Sequence, residues 1–167
     1  MSSQGTGSDQ GTEYAEFIRA ELDREYARRD VVNSRAATAI SSATGLVTLV
    51  VAAAALVKGQ GHTFHGFAAF WLVVAVVALL GAGVMAILAG VSWKFTVADE
   101  STLRAMAEGR WGDTVVDARN TVAKANIKTI TTLRSGNNTK TTRLLVAYGL
   151  QTGAIAALAG VLITVVA

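Results

Sequence analysis

The sequence predicts an all-α integral membrane protein with three transmembrane helices and a cytoplasmic helical hairpin, and three observations point there. Hydrophobic residues make up 51% of the 167 positions and charged residues only 16%, where ordinary soluble domains are about a quarter charged. Proline is absent, which suits long unbroken helices better than the turns of an all-β fold. Three stretches, 36–57, 66–93 and 144–167, carry no charge. Each exceeds the roughly 20 helical residues that cross a hydrocarbon core of ~30 Å. Cysteine is also absent, which excludes disulfides, zinc–thiolate centres and cysteine nucleophiles.

Residues 1–12 are Gly-, Ser- and Gln-rich and predict a disordered tail, with Thr12 as a helix N-cap. From there Tyr14, Phe17, Ile18, Leu22 and Tyr26 recur at helical steps as one apolar face. Glu21, Arg24, Glu25, Arg28 and Arg29 form the charged face. Nothing before Gly45 breaks a helix, so a cytoplasmic amphipathic helix over 13–38 is expected to continue into a first span over 39–57. Together they would make one helix of about 45 residues, or roughly 68 Å. Thr38, Ser41, Ser42 and Thr44 can bond back to their own helix or across to a neighbour.

An outer loop over 58–66 leads to the second span, 67–93. A linker over 94–112 follows, with a capping start at Thr96-x-x-Asp99, a short helix around Leu103 and Met106, and stop signals at Gly109 and Gly112. Asp113 is read as the cap of a helix over 113–143 with an apolar stripe of Val116, Ala123, Ile127 and Ile130, continuing, kinked at 135–138, into the third span over 144–166. The two cytoplasmic helices enter the membrane at their C-terminal ends, so they should pack in parallel, with Tyr26 beside Ile130. Residues 1–35 hold five bases and seven acids, and residues 113–143 six bases and two acids, which favours that pairing.

Orientation follows from lysine and arginine, of which 1–35 hold five, 58–65 one, 94–143 nine and 144–167 none. The positive-inside rule places the N-terminus and the 94–143 region in the cytoplasm and the C-terminus outside. Phe64, Phe67, Phe70 and Trp71 gather at the expected outer interface, with Trp93 and Phe95 at the inner one.

Few residues suggest a site. Arg119, Lys124, Lys128, Arg134, Lys140 and Arg143 are either a solvated face or cations for lipid headgroups or a phosphorylated ligand. Gly149-x-x-x-Gly153 has the small-residue spacing of helix packing, and Gly81, Gly83 and Gly90 give the second span a similar side. Gln151, an amide deep in the third span, fits a hydrogen bond to a hydroxyl of the first. His62-x-x-His65 lacks companions for a metal, so no metal or other cofactor is expected. No P-loop, dinucleotide fingerprint, HExxH or serine elbow occurs, and none of the three uncharged stretches contains an acid. An enzyme is not expected.

The order of parts, with ELDREYARRDVVNSRAA entering span one and DARNTVAKANIKTITTLRSGNNTKTTR entering span three, resembles small actinobacterial integral membrane proteins of unknown function. More distantly it is similar to Pycsar-type and SLATT-like transmembrane effectors of bacterial antiphage systems. That resemblance implies cytoplasmic helices that sense a nucleotide or a protein partner, and spans that associate and permeabilise the inner membrane. Those effectors commonly show a shorter Arg-Ala-Asp-x-Lys-Ala-like segment where this chain has LDREYARRDVVNSRA, so no ligand residue is carried over. The expected partners are membrane lipids, further copies of the chain, and a nucleotide ligand or cytosolic protein, but no nucleic acid polymer. The alternative is a scaffold subunit that recruits a cytosolic protein without conductance. A transporter fits less well, because no charge lies within the spans to hold a substrate.

Overall fold

The computed structural model describes residues 7–59, 66–91, 100–110 and 112–166. All of its regular elements are helical: α1 (Gly7–Gly59), α2 (Gly66–Gly90), the short α3 (Glu100–Arg104) with one π-helical turn at Ala105–Gly109, and α4 (Val115–Val166). Three of them, α1, α2 and α4, are long and apolar enough to cross a membrane. The expected His62/His65 pair, Trp93, Phe95 and the Thr96–Asp99 cap lie outside the described residues.

Two compact units divide the chain, Met1–Asp30 with Ser92–Asn138, and Val31–Val91 with Thr139–Ala167. The first is the polar unit and the second the apolar unit, and α1 and α4 each contribute to both.

In the apolar unit the buried positions are mostly alanine. Ala36, Ala39, Ala86, Ala89, Ala147 and Leu144 form one cluster, and Val50, Ala75, Leu79, Ala154 and Ala157 another. Small side chains allow close helix approach, as membrane interiors favour. The large residues point the other way: Phe67, Phe70, Val73, Val77, Leu80, Val84 and Ile87 are all exposed along α2. This is an inside-out pattern, since soluble monomers rarely expose so continuous an apolar surface. A methyl group added at Gly90 would meet Ala36 Cβ at 3.8 Å, and one at Gly160 would meet the Trp71 ring at 3.9 Å. These contacts set α2 antiparallel to α1 and α4. Thr38, Thr44 and Thr48 donate to carbonyls four residues back, at 3.0–3.1 Å, so they bond along their own helix.

In the polar unit α4 starts at a side-chain N-cap. Thr114 Oγ1 accepts the Asp117 N–H at 3.2 Å and donates to Asp117 Oδ2 at 2.6 Å. Thr114, not Asp113, is therefore the cap. At the other end of the chain α1 starts at Gly7, so Thr12 lies inside the helix, and residues 7–12 of the expected tail are helical. No break interrupts α4 at 135–138.

Candidate functional site

Within the polar unit α1 and α4 pair through a polar network that a search for apolar stripes passes over. Covered or half-covered positions of α1 include the row Gly11, Ala15, Ile18, Leu22, Glu25 and Arg29, and those of α4 the row Ala123, Asn126, Ile130, Leu133 and Asn137. Both rows alternate three- and four-residue steps, the spacing of a coiled-coil seam. Glu25 is 6% exposed and Asn137 2%. Asn137 Nδ2 donates to the Glu25 main-chain oxygen at 3.0 Å and to its Oε2 at 3.1 Å, while Arg134 Nε donates to Glu25 Oε1 at 2.8 Å. Arg134 also reaches Glu21 Oε2 at 3.3 Å, and Arg24 pairs with the other oxygen of Glu21. Arg28 bonds Asn138 Oδ1 at 2.9 Å and stands 3.8 Å from Glu25.

Burial opposes the charge on Glu25. The hydrogen bonds from Arg134 and Asn137, with the charges of Arg134 and Arg28, outweigh it and hold the carboxyl below its ordinary value. The hydrogen bond with Glu25, followed by its charge, raises the Arg134 guanidinium above its own.

The partners are separated by 109–113 residues in sequence, and numbers rise together along both helices, so the pairing is parallel as expected. Its register is not the expected one. With Glu25 opposite Asn137, Ile130 lies level with Ile18, about two turns from Tyr26. The covered faces match the expected stripes only in part: Ile18, Leu22, Tyr26, Ala123 and Ile130 are half-covered. Tyr14 is 69% and Val116 70% exposed, and Ile127 is exposed as well, whereas Leu133 is buried.

The apolar unit holds its own polar contacts. Gln151 Nε2, buried, donates to the Ala39 carbonyl at 2.8 Å, a backbone oxygen and not the hydroxyl expected. Lys140, also buried, donates to Asn33 Oδ1 at 2.8 Å, and Arg143 to the Leu88 carbonyl at 3.1 Å.

The six basic candidates are therefore dispersed. Arg134, Lys140 and Arg143 bind acceptors within the chain, Lys124 and Lys128 are exposed, and Arg119 is half-covered against α1. Gly149 and Gly153 are exposed, and a methyl group at either would touch nothing within 4 Å. Their face packs on neither α1 nor α2 among the described residues, whereas Gly81 faces Leu150 and Gly90 faces Ala36. Glu25, Asn137 and Asn33 went unrecognised in the sequence. The signal that could have found them is the three-four spacing, followed through polar residues. Comparison with protein-family models, curated proteins and solved structures finds no match to this chain.

Proposed function

We propose that this is a non-enzymatic, multi-pass protein of a bacterial inner membrane whose cytoplasmic helices receive an anionic ligand or a protein and whose spans associate with further copies. The observation that carries this reading is that α1 and α4 each join a charged, mutually bonded segment to an alanine-packed segment with large apolar residues outside. A change in the pairing of the polar segments thus acts on the same two helices that line the apolar unit. Fifteen Lys and Arg, distributed five, one, nine and none, support a cytoplasmic polar unit. The exposed Gly149/Gly153 face supports contact between copies. Membrane disruption in antiphage defence is the concrete form of the mechanism.

A scaffold without conductance is the second reading, favoured by the exposed Tyr14, Phe17, Val115 and Val116 of the polar unit, which a cytosolic protein could cover. Reconstitution into vesicles loaded with a self-quenched dye separates the two. The effector reading expects release that rises steeply with protein density. Association without release favours the scaffold.

A further inference from the structure

Large apolar side chains stand exposed on one flank of the polar helix pair. On α1 Tyr14, Phe17, Glu21 and Arg28 follow one another at helical steps, and so do Ile127, Arg134 and Asn138 on α4. Arg134 bonds Glu21 and Arg28 bonds Asn138, so the two stripes border the seam on the same side. Tyr14 is 69%, Phe17 63% and Ile127 49% exposed. The other flank is met from within the chain. There Met106 and Arg110 share a hollow with Ala118 and Val122, and Arg110 donates to Thr121 Oγ1 at 3.2 Å.

Charge adds an independent observation. Residues 7–30 hold seven acids and four bases, and residues 113–138 four bases and two acids. Glu13 stands one turn before Phe17, and Lys124 one turn before Ile127. Both are exposed, and neither has an ion partner among the described residues. The 112-residue offset between Glu25 and Asn137 puts Ile127 between Tyr14 and Phe17 in height and Lys124 beside the level of Glu13.

We infer that this flank docks a second copy of the chain, about a twofold axis parallel to the helices that sets α1 of each copy against α4 of the other. Copies inserted in one membrane point the same way at the same height, so such an axis keeps every residue at the level it holds in its own chain. Ile127 of the second copy then enters between Tyr14 and Phe17, and Lys124 of the second copy comes beside Glu13. The acidic helix meets the basic one at both contacts, whereas α1 against α1 or α4 against α4 would oppose like charges. A cytosolic protein could cover the same apolar residues, but the match of height and charge between the two stripes is what a copy of this chain supplies. This docking rests on the association between copies proposed above and gives it a surface outside the spans.

The test uses two differently tagged full-length chains, one with Phe17→Cys and one with Ile127→Cys, co-expressed and oxidised in membrane vesicles. A disulfide between the two chains is expected. Glu16→Cys, next to Phe17 but on the other side of α1, should form none with Ile127→Cys. Energy transfer between copies labelled at a C-terminal tag, followed over rising density in vesicles, measures association itself. Tyr14→Gln with Phe17→Gln should weaken it about tenfold or more, as the loss of two buried large side chains implies. The fold should survive, because both side chains are exposed within one chain. Glu13→Lys or Lys124→Glu should each weaken association about two- to fivefold, and the two together should restore it. Transfer unchanged in all these variants, without the crosslink between Phe17→Cys and Ile127→Cys, overturns this surface and leaves association through the spans standing. No transfer at any density overturns both and leaves Tyr14 and Phe17 to a cytosolic protein.

Discussion

Asn137 Nδ2 donates at once to the Glu25 backbone carbonyl, at 3.0 Å, and to the Glu25 carboxylate, at 3.1 Å. The carbonyl of a helical residue keeps a second lone pair after its own i+4 bond, so one amide can hold both the main chain and the side chain of its partner. A polar pair at a seam position is satisfied in one register only, and shifting either helix by a turn would bury both groups unpaired. Among described residues Leu133 is the one buried apolar side chain of the polar unit. Register there accordingly depends on the Glu25–Asn137–Arg134 network.

Asn137→Ala should therefore destabilise the helix pair by about 1–3 kcal/mol, the cost of leaving buried groups unsatisfied. Hydrogen exchange over 18–30 and 126–138 is the readout. Unchanged protection would mean that the pair is held by other contacts.

Acid should weaken the same pair. The Glu25 carboxyl is held below its ordinary value, so its contribution is complete above the unfolded value and is lost as pH falls through the lower, folded value. Protection of the polar unit should hold from neutral pH down to the ordinary glutamate value of 4.5 and fall progressively below it in the native chain. With Glu25→Gln the protection should be weaker at neutral pH and should fall less on acidification. Identical pH profiles for the two chains would remove Glu25 as the titrating group.

Register can be read from crosslinks, since the chain has no cysteine. Ile18→Cys with Ile130→Cys has the 112-residue separation seen for Glu25 with Asn137 and should form a disulfide on mild oxidation. Tyr26→Cys with Ile130→Cys should not. The reverse result would restore the register expected from the apolar stripes.

Bulky residues at Gly149 and Gly153 should leave the monomer intact, because both positions are exposed and a Cβ at either meets nothing within 4 Å. Gly149→Leu with Gly153→Leu is expected to reduce crosslinking between copies in membranes. Undiminished association would assign it to another face.

The three long apolar helices were legible because a run of about 20 uncharged residues has few other uses, and parallel pairing followed from each polar segment running into its apolar segment at its C-terminal end. The seam was not. Periodicity counted on large apolar residues selected Tyr14, Val116 and Ile127, which are exposed, while the positions that meet are Gly11, Ala15, Glu25, Asn126 and Asn137. Hydrophobicity discards such residues, although two long helices can bring together small and mutually bonded polar ones. Gln151 was recognised as an interhelical donor for its isolation, but its acceptor, the Ala39 carbonyl, has no signature in side-chain identity.

Membrane placement of the polar unit is the claim on which the rest depends, and single-cysteine labelling tests it most directly. Cysteines replacing Gln10, Gly61 or Gly112, or added after Ala167, would be probed with a membrane-impermeant maleimide in right-side-out and inverted vesicles. The account predicts that positions 10 and 112 label only from the cytoplasmic face, and position 61 and the C-terminus only from outside. Labelling of 61 and 112 from the same face would contradict it, because α2 would then not span and the polar helix pair would have no fixed side.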